Sequence, residues 1–174
     1  MTFQIFRNRM IVIVFLAMTV CNLHAQQKDM QTLIHQSLEK LQNDSSQTTL
    51  QCVMELKRIE AIFPDSIAPK YHIALQSLSY AVSHPHDEQT PQLLTMAKQA
   101  IKQMEGMRHH DPSDLHALQA FHLTVLVVQN PAQNGPRYYR DVLDLLDKSL
   151  KANPENALAK MLRQQFTEGM QRAL

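Results

Sequence analysis

Apolar side chains recur every three or four residues through most of this chain, in runs interrupted by proline, asparagine and serine. A 3.6-residue period places such residues on one face of an α-helix, and a helix striped in this way must bury that face against another. Met30, Leu33, Ile34, Leu38 and Leu41 form the first stripe, over residues 27–43, opposite a polar face. The cluster Asn43-Asp44-Ser45-Ser46 is suited to stop one helix and cap the next. Cys52, Leu56, Ile59 and Phe63 give a second stripe ending at Pro64, so the two elements form a helical hairpin.

A third stripe, Tyr71, Ala74, Leu75, Leu78 and Val82, follows Asp65-Ser66 and ends near Ser83-His84-Pro85-His86. Thr90-Pro91 then opens a fourth helix, with threonine as the cap and proline in the first turn, where its missing N–H has no partner to lose. Leu93, Ala97, Ala100, Ile101 and Met104 are its buried face. Asp111-Pro112-Ser113-Asp114 repeats that start chemistry before Leu115 to Val128, the most apolar stretch beyond residue 25 and therefore the central element. Its end, Leu123-Thr124-Val125-Leu126-Val127-Val128, has strand character, but no partner strand is legible elsewhere and it is read as helix. The run Asn130-Pro131-Ala132-Gln133-Asn134-Gly135-Pro136 is the clearest loop. Beyond it Tyr139, Val142, Leu143, Leu146 and Leu150 form a sixth stripe ending at Asn153-Pro154, and Leu158, Met161, Leu162, Phe166 and Met170 a seventh. Three glycines in 174 residues and no tryptophan agree with an all-α chain of about seven helices in one domain.

The first 25 residues are read apart from this domain. Arg7 and Arg9 precede the apolar run Met10 to Val20, and Leu23-His24-Ala25 ends in a small residue before the polar Gln26. That layout is a secretory signal peptide cleaved after Ala25, leaving an exported domain over residues 26–174. The apolar run falls short of the roughly 20 residues a spanning helix needs, so no stable membrane span remains after cleavage. Cys21 stands where a lipidated cysteine would follow such a segment, but Val20 suits a lipobox poorly and lipid anchoring is disfavoured. Losing Arg7 and Arg9 leaves 15 basic against 16 acidic residues and turns the formal charge from +1 to −1, which is no nucleic-acid footprint. Cys52 is then the single thiol, with no partner for an internal disulfide, and its place on an apolar stripe marks it as core.

The pattern Tyr139-x-x-x-x-x-x-Leu146-x-x-Ser149-Leu150-x-x-x-Pro154-x-Asn156-Ala157 resembles the second helix and closing turn of a tetratricopeptide repeat, with Ser149 where that family prefers alanine. Pro69-x-Tyr71-x-x-Ala74-Leu75 is similar to a first helix of the repeat, and Leu93-x-x-x-Ala97-x-x-Ala100-Ile101 to a second. The chain beyond residue 25 also resembles short exported repeat proteins of Gram-negative bacteria. The resemblance implies antiparallel helix pairs stacked as a short right-handed superhelix, located in the periplasm or cell envelope. Such pairs cannot bury their stripes alone, so they stack around a shared core. The first helices start near residues 27, 66, 113 and 155, intervals unequal and longer than the roughly 34 residues of the regular repeat, so the repeats are irregular: three pairs and a terminal cap. For function the resemblance implies a scaffold that binds a protein or peptide partner. Arg137, Tyr138 and Arg140 are the candidate contact residues, because Tyr and Arg often anchor interfaces. The competing reading of these three is a solvated helix start beside a loop.

The chain reads as a non-enzyme without cofactors: it has no glycine-rich phosphate loop, no serine elbow and no carboxylate pair in an acid–base setting. Histidines form two groups, His84-Pro85-His86-Asp87-Glu88 and His109-His110-Asp111 with His116 nearby. Imidazole and carboxylate are ligands for zinc or copper. The groups lie at opposite ends of the fourth helix, about 18 residues and roughly 27 Å apart, too far to share one ion. His116 and His122, six positions apart, point about 240° away from each other. These side chains read as solvated loop histidines, and the competing reading is a small metal-handling protein or enzyme built on them. The ten methionines read as packing material along the core stripes.

Overall fold

The computed structural model describes residues 27–43 and 48–173, with the side chains of 170–173 left out. The expectations placed on the leader, Cys21, residues 44–46 and the Met170 side chain lie outside the described residues. Among the described residues the chain is all-helical: α1 over 27–43, α2 Thr49–Ile62, α3 Ile67–Ser83, α4 Thr90–Glu105, α5 Pro112–Gln129, α6 Pro131–Ala152 and α7 Ala157–Ala173.

Successive helices pack side by side, α3 with α4 and α5 with α6 most extensively, and α3 also meets α5 while α5 meets α7. α1 joins α2 through Ser37, whose hydroxyl donates to Glu55 Oε2 at 2.9 Å and lies 3.7 Å from the Cys52 sulfur. One apolar core runs from Met30 to Phe166. α5 is its centre, touching α3, α4, α6 and α7. Its β-branched end is helical, with Thr124, Val125 and Val127 buried. Burial against four neighbours outweighs a helix-propensity deficit of at most about 0.7 kcal/mol per residue.

Several helix boundaries differ from the sequence expectation. α2 is capped by Thr48, not by the 43–46 cluster. The Thr48 hydroxyl accepts from Gln51 N at 3.2 Å while the Gln51 side chain accepts from Thr48 N at 2.8 Å, a reciprocal capping box. Thr90 is not the cap of α4: Gln89 holds that position without a side-chain bond, and the buried Thr90 hydroxyl donates to His84 O at 2.6 Å. Asp111 does cap α5, accepting from Ser113 N at 2.7 Å.

The largest correction concerns residues 130–136, which are no loop. Asn130 closes α5 and caps α6 at once, its Oδ1 accepting from Gln133 N at 3.2 Å, and α6 begins at Pro131. Gly135 and Pro136 lie inside the helix. Proline clashes with the Cβ of a helical residue before it, and Gly135 has none to clash. Asn134 Nδ2 donates to Leu126 O at 2.7 Å, a second bond to a carbonyl that also accepts Asn130 N–H at the end of α5.

Buried faces also hold polar groups that an apolar stripe does not reveal. The buried face of α3 centres on Lys70, Ile73, Ala74, Ser77, Leu78 and Ala81, and Tyr71, Leu75 and Val82 sit at its edges. Lys70, only 4% exposed, donates to Pro64 O at 2.6 Å and Ser66 O at 3.0 Å and lies 3.7 Å from Glu60 Oε1, which stitches the α2–α3 turn together. The methionines divide: Met30 and Met104 are buried, whereas Met54 and Met161, the latter expected on the buried face of α7, are 41% and 44% exposed.

Candidate functional site

α5 leaves one face uncovered. His116, Gln119, Leu123 and Leu126 recur at three- and four-residue spacing and are each only partly buried. That face opens between α4 and α6. There a groove of about 340 Å³ is lined by Lys98, Ile101, Lys102 and Glu105 of α4, Gln119, His122 and Leu123 of α5, and Leu145 of α6. Ile101, Leu123 and Leu145 give it an apolar floor, and the lysines stand at its rim. A volume near 300 Å³ accepts one or two side chains of a partner. Two further depressions are of different character: one is a patch on α2 alone, and one lies where Gln27 and Met30 meet the α2–α3 turn.

His122 lines the groove, whereas His116, about 120° around α5 from it, does not. His122 is pushed to lower pKa by burial and then by the Lys98 charge. His116 is lowered by burial and then by Lys148 and His110. Both causes disfavour the charged imidazole. The Nδ1 atom of His116 is buried without a hydrogen-bond partner. Glu105 is engaged by a hydrogen bond from the Gln119 amide.

The candidate contact residues sit in the second and third turns of α6 rather than beside a loop. Tyr138 packs partly against the core, the Arg137 guanidinium lies 5.0 Å from its ring centroid, and Arg140 is exposed. Seven residues separate Tyr138 from Leu145, two turns or about 10.5 Å along one side of α6. Tyr138 therefore lies in line with the groove without lining it. Tyr139, on the other side of α6, stacks on Phe166 of α7 with centroids 5.7 Å apart.

A second polar constellation joins the start of α5, the end of α6 and the start of α7, and its members bond one another. Ser113 and Ser149, both fully buried, exchange bonds: Ser113 Oγ donates to Ser149 O at 2.9 Å and Ser149 Oγ to Ser113 O at 2.8 Å. Asn156 Nδ2 donates to Ser113 Oγ at 3.0 Å and Asp114 Oδ1 at 2.8 Å, while its Oδ1 accepts from Ala159 N at 2.9 Å. Burial and the Asp111 charge push Asp114 above the ordinary carboxyl range, and the Asn156 bond pulls the other way. Every polar atom of this set serves helix docking.

Among the described residues no three His, Cys, Asp or Glu side chains gather where they could hold a metal ion. His84 stacks on Tyr80, with centroids 4.4 Å apart, and its Nδ1 donates to Tyr80 O at 3.2 Å. His110 Nδ1 donates to Met107 O at 2.6 Å. Burial raises the pKa of the fully buried Cys52 thiol. No described helix is long and apolar enough to cross a membrane. The chain matches no known protein family, no curated protein and no solved structure.

Proposed function

We propose that this chain is an exported helical-repeat scaffold that binds a peptide segment of a partner protein in the groove between α4 and α6. The observation that carries this reading is the groove floored by Ile101, Leu123 and Leu145, of which Leu123 and Leu145 stay partly exposed. A helix or extended segment inserting one or two aliphatic side chains would complete the burial. The likeness to tetratricopeptide repeats is supported by the contacts between alternate helices, α3 with α5 and α5 with α7, in addition to those between neighbours. Such adjacency is what stacked helix pairs produce. Export rests on the sequence of residues 1–25 alone, and a mature protein recovered from the envelope with Gln26 at its N-terminus is the expected product.

Selection of displayed random twelve-residue peptides on the purified protein tests the binding reading. Gln119→Trp, which fills the groove from a partly exposed position, serves as the counter-selection. Enriched peptides that bind at least tenfold more weakly to the Trp variant are expected. Enrichment of none, or of peptides indifferent to the Trp, would refute the groove as a binding site.

A further inference from the structure

We propose that the groove selects an acidic segment: an aliphatic side chain seated over Ile101, Leu123 and Leu145, with an Asp or Glu about one helical turn away meeting Lys98 and Lys102. The inference rests on the peptide-binding reading above and adds the chemistry of the partner. Lys98 and Lys102 are four residues apart on α4, both are exposed, and neither makes an ion pair among the described residues. They therefore project from the same rim with their charge unspent on the fold. Lys102 also lies in the last turn of α4, where a cation offsets the helix dipole, but Lys98 is a turn earlier and has no such role.

The charges that α6 brings near the groove are mixed, so its positive character rests on Lys98 and Lys102 set against one lining carboxylate, Glu105. Lys148 of α6 is near enough to act on His116, and neither residue lines the groove. The carboxylates nearby are Glu105, held by Gln119, and the exposed Asp141, one turn before Leu145 on α6. His122, the histidine that lines the groove, is lowered in pKa by burial and then by the Lys98 charge, so it stays neutral beside the lysines. An apolar floor under ammonium groups suits an aliphatic residue followed by a carboxylate. It does not suit a nucleic-acid strand, which needs stacking faces and a track of phosphate contacts.

Three fluorescent helical twelve-residue peptides test this by anisotropy on the purified protein. They share the same leucines and carry Glu, Gln or Lys four residues from each. The Glu peptide is expected to bind, the Gln peptide about five- to tenfold more weakly, as two exposed pairs allow, and the Lys peptide more weakly still. The double charge reversal K98E/K102E should invert that order without changing helicity. Equal binding of the Glu and Gln peptides, or a preference that survives K98E/K102E, overturns the acidic-partner inference. Saturable laurate binding with no response to any peptide also overturns it, by pointing to a free carboxylic acid. If displayed peptides are groove-dependent but carry no acidic residue, this inference falls and the binding reading stands. If no peptide is groove-dependent, both fall.

Discussion

Replacing Asn156 with alanine removes three hydrogen bonds in one step. The helix cap to Ala159 N is worth about 1 kcal/mol. The bond to the buried Ser113 hydroxyl adds about 1 kcal/mol, and the charge-assisted bond to Asp114 about 1.5 kcal/mol, taken at the low end because Asp114 is only partly buried. The expected loss is therefore about 3.5 kcal/mol, a large share of the roughly 5–15 kcal/mol that holds a domain folded. Urea unfolding at pH 7 should show it as a lower midpoint at unchanged slope, and thermal melting as a fall of about 7–14 °C. Asn156→Asp separates the contributions. It keeps the capping oxygen but sets a second carboxylate against Asp114 Oδ1, now 2.8 Å from the Asn156 amide. It should match or exceed the alanine loss at pH 7 and recover as acidification lets the pair hold a proton. A loss below about 1 kcal/mol for alanine, or a wild-type midpoint for Asn156→Asp at pH 7, would show that α7 docks without this network.

Pro136→Ala should stabilise the protein by about 1–3 kcal/mol, since an interior proline forfeits a backbone bond and crowds the carbonyl four residues earlier; a neutral or negative change in urea unfolding would contradict the place of Pro136 within α6. Lys70→Met should cost about 2–4 kcal/mol by leaving two carbonyls without their ammonium donor and Glu60 with Lys57 alone, with Glu60→Met/Lys70→Met losing less than the sum of the single changes in a double-mutant cycle. His72, His116 and His122 all have pKa values lowered from 6.5, with burial the first cause. Their contribution to stability is complete above pH 6.5 and is lost as pH falls through the lowered folded values, so unfolding free energy should decrease from pH 7.5 to 5.5, and less steeply in His72→Gln. Asp114, raised above 3.8, acts oppositely in a more acidic window, its contribution declining as pH rises through the folded value.

Most of the helical architecture is legible in the chain because it rests on period and punctuation. The buried face of α4, Leu93, Ala97, Ala100, Ile101 and Met104, is the one its spacing gives. The same punctuation misleads at Asn130-Pro131, where a cap followed by a first-turn proline looks identical to the start of a loop, and only the helix on either side distinguishes them. Buried polar residues are hidden for a different reason. Ser113, Ser149 and Asn156 satisfy one another across separations of 36 and 43 residues, and no local pattern reports a partner that far away. The groove had a readable trace: His116, Gln119, Leu123 and Leu126 make a second stripe on a helix whose other faces are more apolar. Overall apolarity of α5 obscured it, and the contribution of Lys98 and Leu145 depends on packing that sequence alone does not specify.

The central claim is that the open face between α4 and α6 receives a partner segment. Hydrogen exchange of the purified protein, with and without a saturating groove-selected peptide, tests it most directly, because slowed exchange marks where the partner sits. The expected result is slower exchange confined to the second half of α4, the middle of α5 and the α6 segment around Leu145. Protection confined to α1 and α2 or to α7, or none anywhere while the peptide is bound, would contradict it.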